Sequence, residues 1–341
     1  MAFYLLFILF TLSAFFVCSY YGRKRNVKKN LVLVTYQFLF ILIYVFRYDV
    51  GWDYPNYFDA IINNDLSERL EPLSFVLYWI ASSCNSPVLL FVLYGVPTYL
   101  LIFSTIKKYS VNVEFSLLIY ICLFFLDSLG LIRQALAVAI VFGGYTFLVE
   151  KKPGKFVLTI ILASCFHYSA VSAFIIYPVY HARNLIYFAF LFSIILMKSA
   201  LFYIIEQEGS YAIYLLDEDL MTGGRGVLFV YVCIVAASLF LLYFQRKNIL
   251  LIRLYRILLL VPVFYILFNA GIAVRIIAYF VVYMILFLPL LLQQFPKLRL
   301  MLAFCLVCYW LIFINVSMNN PIKSPYTPYK NVFMNYGEPF K

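Results

Sequence analysis

Residues 31–54 read LVLVTYQFLFILIYVFRYDVGWDY, an apolar run that ends abruptly in charged and aromatic residues. The run 31–46 carries no charge and is nearly as long as a transmembrane helix. Arg47, Asp49 and Asp53 follow directly, and Glu71 stands beside Pro72 a little further on. Membrane proteins keep charged side chains beside apolar spans mainly where those side chains have a function. The stretch therefore predicts a membrane-embedded fold with a functional site at the end of this span.

The composition of the whole chain supports the same interpretation. Hydrophobic residues make up 65% of the 341 residues, charged residues make up 12%, and the mean hydropathy is +0.95. A soluble domain has about half apolar and about a quarter charged residues. We therefore predict an all-α polytopic membrane protein, a single integral membrane domain over residues 1–341. It should have roughly 10–12 membrane segments, including short re-entrant or interfacial helices. The continuous apolar runs exclude the short alternating strands of an outer-membrane barrel.

Positive charge is concentrated in short segments between the apolar runs, and this orients the chain. Residues 23–29, 151–155 and 246–247 hold the clearest basic clusters, and the positive-inside bias places such clusters in the cytoplasm. The bias also accounts for the net charge of +11 without any nucleic acid. The first apolar run precedes its positive charges, so we expect a retained span rather than a cleavable signal. Three polar segments are then external: loop 47–71, loop 205–225 and tail 317–341.

The remaining apolar runs divide into spans and two exceptions. The predicted spans are 2–20, 31–46, 87–106, 112–127, 131–149, 185–204, 226–244, 257–271, 276–293 and 300–316. Residues 72–84 are too short to cross easily, so we expect an interfacial or re-entrant helix with Pro72 in its first turn. Residues 156–180 either form a re-entrant hairpin with His167 near its tip or cross once, in which case the predicted orientation is wrong.

Three arginines fall at predicted external span ends: Arg47, Arg133 and Arg275. Arginine presents a planar fork of donors that matches phosphate oxygens in two-point contacts. Several arginines at the outer leaflet would suit a membrane-embedded pyrophosphate. The alternative is that each one extends its charge toward water or forms a structural ion pair with Asp49, Asp53 or Asp127.

Asp53, Glu71 and His167 are the candidates for proton transfer. A carboxylate at an external site could accept a proton from a sugar hydroxyl, but holding an arginine in place is the more common role. His167 lies within an apolar segment and is either a base, a hydrogen-bond donor or a structural group. Gly51, between the aspartates, indicates a turn with unusual backbone angles.

Several kinds of site are missing from the sequence. It contains no P-loop, dinucleotide fingerprint or zinc motif, and its seven cysteines show no metal or disulfide spacing. We therefore expect no cofactor and no transport driven by the chain's own nucleotide hydrolysis.

Five short motifs occur together in order, and their combination resembles the EpsG family from about residue 30 to 290. The motifs are Arg47 with Gly51-Trp52-Asp53-Tyr54 and Tyr57, Glu71-Pro72, Ile132-Arg133-Gln134, Phe166-His167-Tyr168-Ser169, and Arg275 with Tyr279-Phe280. The family usually has a small polar residue where Trp52 stands. EpsG proteins are polytopic proteins of bacterial polysaccharide clusters, similar to Wzy-type O-antigen polymerases.

The resemblance implies a glycosyltransferase at the outer face of the bacterial cytoplasmic membrane. It would transfer a growing chain from undecaprenyl pyrophosphate to a sugar hydroxyl of the incoming lipid-linked repeat unit. Its partners would be the lipid bilayer, the lipid-linked oligosaccharides, and chain-length regulator and flippase proteins. The other functions considered are a flippase for the lipid-linked unit and an O-antigen ligase.

The motif residues receive provisional roles on this interpretation. Arg133 and Arg275 would hold the pyrophosphate, and Arg47 would do the same or hold Asp49 and Asp53. One of Asp53, Glu71 and His167 would deprotonate the acceptor. The residues expected to support the site or contact sugar are Asp49, Tyr54 and Gln134.

Overall fold

The structure is a computed structural model, and it describes residues 2–21, 26–65, 70–182, 187, 225–319 and 325–333. The first half contains α1 (Ala2–Tyr21), α2 (Asn26–Val45), α3 (Tyr54–Ile62), α4 (Pro72–Ser83), α5 (Pro87–Tyr109), α6 (Val113–Gly130) and α7 (Ile132–Val149). Then come α8 (Pro153–Ser164), a 3-10 helix (Tyr168–Ile175), α9 (Ile176–His181), α10 (Arg225–Phe244), α11 (Ile249–Leu267), α12 (Ala270–Val281), α13 (Met284–Leu291) and α14 (Pro296–Met318). The strands β1 (Arg47–Tyr48) and β2 (Lys330–Asn331) form an antiparallel pair.

Helix length and hydropathy confirm the predicted all-α polytopic membrane fold. Within the described ranges, six helices are long and apolar enough to cross a membrane, namely α5, α6, α7, α10, α11 and α14. The pair α12 and α13, bent by 55°, would make a seventh span. Helices α1 and α2 are each 20 residues long, which matches the thickness of a bilayer core. Three predicted regions lie largely outside the described residues: the span 185–204 apart from Tyr187, residues 205–224 of the loop, and residues 320–324 and 334–341 of the tail.

Two helix boundaries differ from the prediction of spans at 257–271 and 276–293. Helix α11 already begins at Ile249 and α12 at Ala270, each after an asparagine that caps it. The Asn248 side chain accepts hydrogen bonds from the N–H groups of Leu250 and Leu251 at 3.1 and 3.3 Å. The Asn269 side chain accepts one from Ile272 at 3.0 Å. Such caps satisfy the free N–H groups of a first helical turn. Arg275 consequently lies inside α12 and not at the end of a span.

The segment 156–180 folds back on itself. Helix α8 ends at Ser164, and the 3-10 helix that begins at Tyr168 packs along α8. This arrangement matches the re-entrant alternative, with His167 in the reversal. Helix α4 begins at Pro72, as predicted, and has 12 residues. It buries Ser74 and Tyr78 but exposes Phe75 and Trp79, which suits an interfacial helix with one side in lipid.

Packing divides the chain into two compact units, and the predicted single integral membrane domain stays a prediction. The first unit contains residues 1–139, 165–167 and 292–341, and the second contains residues 140–164 and 168–291. The reversal that carries His167 belongs to the first unit.

Aromatic rings form the core of the first unit. The Phe40 ring lies 5.0 Å from the Phe125 ring and 5.7 Å from the Tyr99 ring, and the Tyr99 hydroxyl lies 3.0 Å from that of Ser128. Aromatic side chains bury large areas, and edge-to-face pairs add further stabilisation. These contacts hold α2, α5 and α6 together. They thereby bring Arg47, which follows α2, close to Leu129, near the end of α6.

Candidate functional site

Arg47 joins the segment after α2 to the end of α6. Its Nε donates to the Val50 carbonyl at 3.1 Å and its Nη2 to the Leu129 carbonyl at 3.0 Å. Its Nη1 donates to the Tyr44 carbonyl. The guanidinium carbon also lies 4.1 Å from the centre of the Phe91 ring, and the residue is 0% exposed. A buried guanidinium is stable only where its donors are satisfied, and backbone carbonyls satisfy them here.

This burial bears on the prediction that Arg47 contacts pyrophosphate. Its guanidinium offers no open face to a ligand, because one side packs on an aromatic ring and its three nitrogens donate to carbonyls. The Asp49 carboxylate, which Arg47 is predicted to hold in the alternative role, lies 3.4 Å from the Lys330 ammonium. The geometry favours a structural role for Arg47 beneath the candidate site, and its contact with pyrophosphate stays a prediction.

Gly51 permits the closest backbone approach in this region. Its φ angle is +109°, and a Cβ built at this position would lie 2.4 Å from the Leu129 carbonyl oxygen. Only glycine tolerates both the angle and the contact. The turn 49–53 therefore rests directly on the break between α6 and α7. The predicted turn with unusual backbone angles is confirmed.

Residues 325–333, which we call the C-terminal strap, cover the same turn. Strand β2 of the strap pairs with β1, with Arg47 opposite Asn331. The Gly51 N–H donates to the Pro325 carbonyl at 2.6 Å, and the Tyr329 hydroxyl donates to the Ile43 carbonyl at 2.8 Å. Residues 325–333 of the predicted external tail are thus part of the packed site region.

Glu71 and Arg133 form the central ion pair of the site. Arg133 Nη1 donates to Glu71 Oε2 at 2.6 Å. The Glu71 side chain is 6% exposed and the Arg133 side chain 28% exposed. Arg133 lies in the first turn of α7, where backbone N–H groups and the helix dipole favour an anion. The arginine therefore reaches solvent while a buried carboxylate holds it.

The start of α4 places His167 in the same unit as this pair. The N–H groups of Leu73 and Ser74 donate to the Cys165 carbonyl at 3.0 and 3.4 Å. The Ser74 hydroxyl donates to the Phe166 carbonyl at 2.9 Å. Glu71 stands at the N-terminal boundary of α4, immediately before these residues, so one helix start positions both Glu71 and the reversal 165–167. His167 itself is 5% exposed.

Tyrosines from three helices surround the ion pair. Tyr57 of α3 contacts Tyr78 of α4, which contacts Tyr94 of α5, each with ring centres 6.4 Å apart. The Tyr57 hydroxyl donates to Asp53 Oδ2 at 3.4 Å. Burial raises the pKa of Tyr57 well above its usual value, and the charge of Asp53 raises it further, while that of Arg133 acts against this. The Tyr57 hydroxyl therefore stays protonated at neutral pH and can donate a hydrogen bond.

The three predicted supporting residues occupy different surroundings. Asp49, at a φ of +49°, faces Lys330, and both side chains are about one-third exposed. Tyr54 is buried, and its ring centre lies 5.1 Å from that of Phe91 in the layer that covers Arg47. Gln134 is buried next to Arg133 at the start of α7. Of the three, Asp49 is the most accessible.

Arg275 belongs to the second unit. It lies on α12, one helical turn before Tyr279, whose hydroxyl lies 3.1 Å from that of Ser169 in the 3-10 helix. Residues four apart on a helix share a face. Arg275 is therefore on the side of α12 that contacts the 3-10 helix. Its convergence with Arg133 on one pyrophosphate stays a prediction.

Two parts of the site were missed from the sequence. Ser74 and Tyr94 are linked by a hydrogen bond of 2.9 Å and carry the support of residues 165–167, but nothing distinguishes them from other residues of apolar helices. The strap was missed because its contacts with residues 43–51 are remote in sequence. Among the described residues, no group of three or more His, Cys, Asp or Glu could hold a metal ion.

Comparisons with known proteins agree with the resemblance seen in the motifs. The sequence pattern of the EpsG family matches residues 30–331, nearly the whole chain. That range contains every motif residue from Arg47 to Arg275, and also the strap apart from its last two residues. No curated protein and no solved structure matched. The match over residues 30–331 shows that this multi-pass membrane protein belongs to the EpsG family, a family with the character of polysaccharide polymerases.

Proposed function

We propose that this chain is a glycosyltransferase that polymerises lipid-linked oligosaccharide repeat units at the outer face of the bacterial cytoplasmic membrane. The observation that carries the proposal is the Arg133–Glu71 pair in the first turn of α7, among the tyrosines of α3, α4 and α5. A membrane protein rarely keeps such a pair unless it has a function. Membership of the EpsG family independently suggests a polymerase type of activity.

Arg133 is suited to the pyrophosphate of the donor lipid. Its Nη1 donates to Glu71 and 28% of the side chain remains exposed, so the guanidinium can also reach phosphate oxygens. The N-terminal N–H groups of α7 add to the positive potential there. In this role Arg133 stabilises the charge that develops on undecaprenyl pyrophosphate as it leaves. The EpsG motif that contains Arg275 implies a phosphate-binding role for this residue as well.

The proton chemistry is divided between two carboxylates. Glu71 is buried and paired with Arg133, so we assign it the task of holding the guanidinium. Asp53 is half-buried and accepts a hydrogen bond from Tyr57, so it is accessible as a base. It would take the proton of an acceptor sugar hydroxyl, whose oxygen attacks the anomeric carbon of the growing chain. The new glycosidic bond forms while the bond from that carbon to pyrophosphate breaks.

His167 and the tyrosines complete the proposed site. His167 is buried in a backbone segment that α4 fixes through Cys165 and Phe166, which suits a positioning role. Tyr57 and Tyr78 are buried around the ion pair, and the Tyr57 hydroxyl holds Asp53 by a hydrogen bond. No step requires a metal ion, because Arg133 supplies positive charge. The partners implied are the lipid-linked substrates, the bilayer, and chain-length regulator and flippase proteins.

The test is polymer length on cells that lack the natural gene and carry single variants. We expect Arg133→Ala and Arg275→Ala to leave single repeat units on the surface, with partial recovery in the Lys variants. Asp53→Asn should also lose long chains, whereas Asp49→Asn, which removes a carboxylate 3.4 Å from the Lys330 ammonium, serves as its matched control. Long chains retained in both arginine-to-alanine variants would defeat the proposal.

The phenotype of the null strain separates the other functions. A lost polymerase leaves single repeat units on the surface, while a lost flippase leaves none. A lost O-antigen ligase leaves polymer that is not attached to the lipid A core. Either of the last two phenotypes would replace the proposed function.

A further inference from the structure

A cationic cleft lies in the second unit, and none of its residues belongs to the candidate site. Its volume is about 230 Å³, and it is lined by His181, Ala182, Ile249, Ile252, Arg253 and Arg256. Three of these six side chains carry or can carry positive charge, and none is acidic. The cleft is several times larger than one water molecule, whose share of liquid volume is about 30 Å³.

Both arginines are held in place by neighbouring groups. The Arg253 guanidinium lies 5.5 Å from the centre of the Tyr180 ring, and that of Arg256 lies 5.8 Å from the centre of the Tyr187 ring. Arg256 also donates to the Ala182 carbonyl. A planar fork that is already oriented loses little freedom when it binds a planar or tetrahedral anion. The cleft is therefore prepared for an anion.

Local charge around the cleft is positive. The pKa of His181 is lowered, first by burial and then by the charges of Arg253 and Lys151, while its hydrogen bond to the Leu148 carbonyl opposes the shift. Glu150, in the same loop as Lys151, is already paired with Lys152 at 2.7 Å. This loop is one of the basic segments that the positive-inside bias assigns to the cytoplasm.

We propose that this cleft binds a phosphate group from the cytoplasmic side, as the headgroup of an anionic phospholipid or as a free phosphate ion. Arginine forks match phosphate oxygens in two-point contacts, and anionic lipids are enriched at the cytoplasmic surface. At the start of α11, the helix that carries both arginines, Ile249 is 65% exposed and Leu250 is 40% exposed. These apolar side chains offer a surface for acyl chains and favour the lipid source.

The experiment uses the purified full-length chain in neutral detergent, with Arg253→Gln as the main variant. Arg246→Gln is the matched control, because Arg246 also stacks on a tyrosine, at 5.3 Å from the Tyr243 ring, but does not line the cleft. Dioleoyl phosphatidylglycerol is titrated into each protein and the thermal midpoint is followed, with phosphatidylcholine as the neutral lipid. We expect saturable stabilisation by phosphatidylglycerol alone, weakened about tenfold or more in Arg253→Gln and unchanged in Arg246→Gln.

A second titration with inorganic phosphate separates the two sources. Saturation by phosphate that depends on Arg253 supports a free ion, whereas saturation by phosphatidylglycerol without a response to phosphate supports a lipid headgroup. The proposal would be overturned if Arg253→Gln and the unaltered chain responded equally to both probes. It would also be overturned if Arg246→Gln weakened lipid binding as much as Arg253→Gln does. If Arg253→Gln unfolds without lipid, Arg253→Lys takes its place, because it keeps the charge and loses the fork. Undiminished binding in Arg253→Lys would then overturn the proposal.

Discussion

The Glu71–Arg133 pair gives the sharpest prediction about this protein. Glu71→Gln removes the negative charge from a side chain that is 6% exposed and leaves the guanidinium of Arg133, 28% exposed, without its carboxylate. An uncompensated charge in such surroundings is costly, because water replaces the lost partner only in part. We expect the variant to fold less stably and to lose the orientation of Arg133.

The magnitude follows from the burial of the two partners. Breaking a buried ion pair costs about 3–5 kcal/mol. Since Arg133 keeps some contact with water and the glutamine amide can still accept a hydrogen bond, we expect the lower end, about 3 kcal/mol. The Glu150–Lys152 pair has a similar length, 2.7 Å, but its side chains are 40% and 49% exposed. Glu150→Gln should therefore cost less than about 1 kcal/mol.

The assay is equilibrium unfolding in mixed micelles, measured for Glu71→Gln, for Arg133→Gln and for the double variant. Because the double variant contains neither charge, it should be more stable than the sum of the two single losses implies, by about 1–3 kcal/mol. Additive losses, or a loss in Glu71→Gln no larger than in Glu150→Gln, would refute the idea that the pair acts as a buried unit. Polymer length on cells, measured for the same variants, would show whether the orientation of Arg133 also matters for activity.

Three further changes test the support beneath the site. Gly51→Ala should destabilise the protein by about 1–3 kcal/mol and abolish long polymer, because its Cβ would lie 2.4 Å from the Leu129 oxygen at a φ of +109°. The control is Gly154→Ala, whose Cβ would have nothing within 4 Å. It should behave as the unaltered chain in the same unfolding assay. Arg47→Lys should lower the free energy of unfolding by about 2–4 kcal/mol, since lysine cannot reach three carbonyls with one fork; a loss of polymer without any loss of stability would instead indicate a ligand role. Removal of residues 325–341 should lower the thermal midpoint and shorten the polymer, because it removes β2 and the hydrogen bond from Gly51 to Pro325. A truncated protein that still makes full-length chains would show that the strap is dispensable.

Local sequence features predicted much of this structure. Long apolar runs without charges require helices, because only internal hydrogen bonds satisfy the backbone in lipid. Pro72 correctly predicted the start of α4, and Gly51 correctly predicted a turn with unusual angles. The boundaries of α11 and α12 were harder to predict. The predicted spans 257–271 and 276–293 leave out Arg253, Arg256 and Arg275, but these arginines lie inside the two helices.

The roles of the charged residues depended on contacts that the sequence does not encode locally. Arg47 donates to a carbonyl 82 residues away, Arg133 to a carboxylate 62 residues away, and Lys330 lies beside Asp49 across 281 residues. A sequence can show that a charge stands next to an apolar span, since this requires only composition and order. Arg47 is buried among carbonyls, whereas Arg133 is paired with a carboxylate and still reaches solvent. Which of these happens to a charge depends on the distant helices that pack against it. Only the tertiary structure determines that packing.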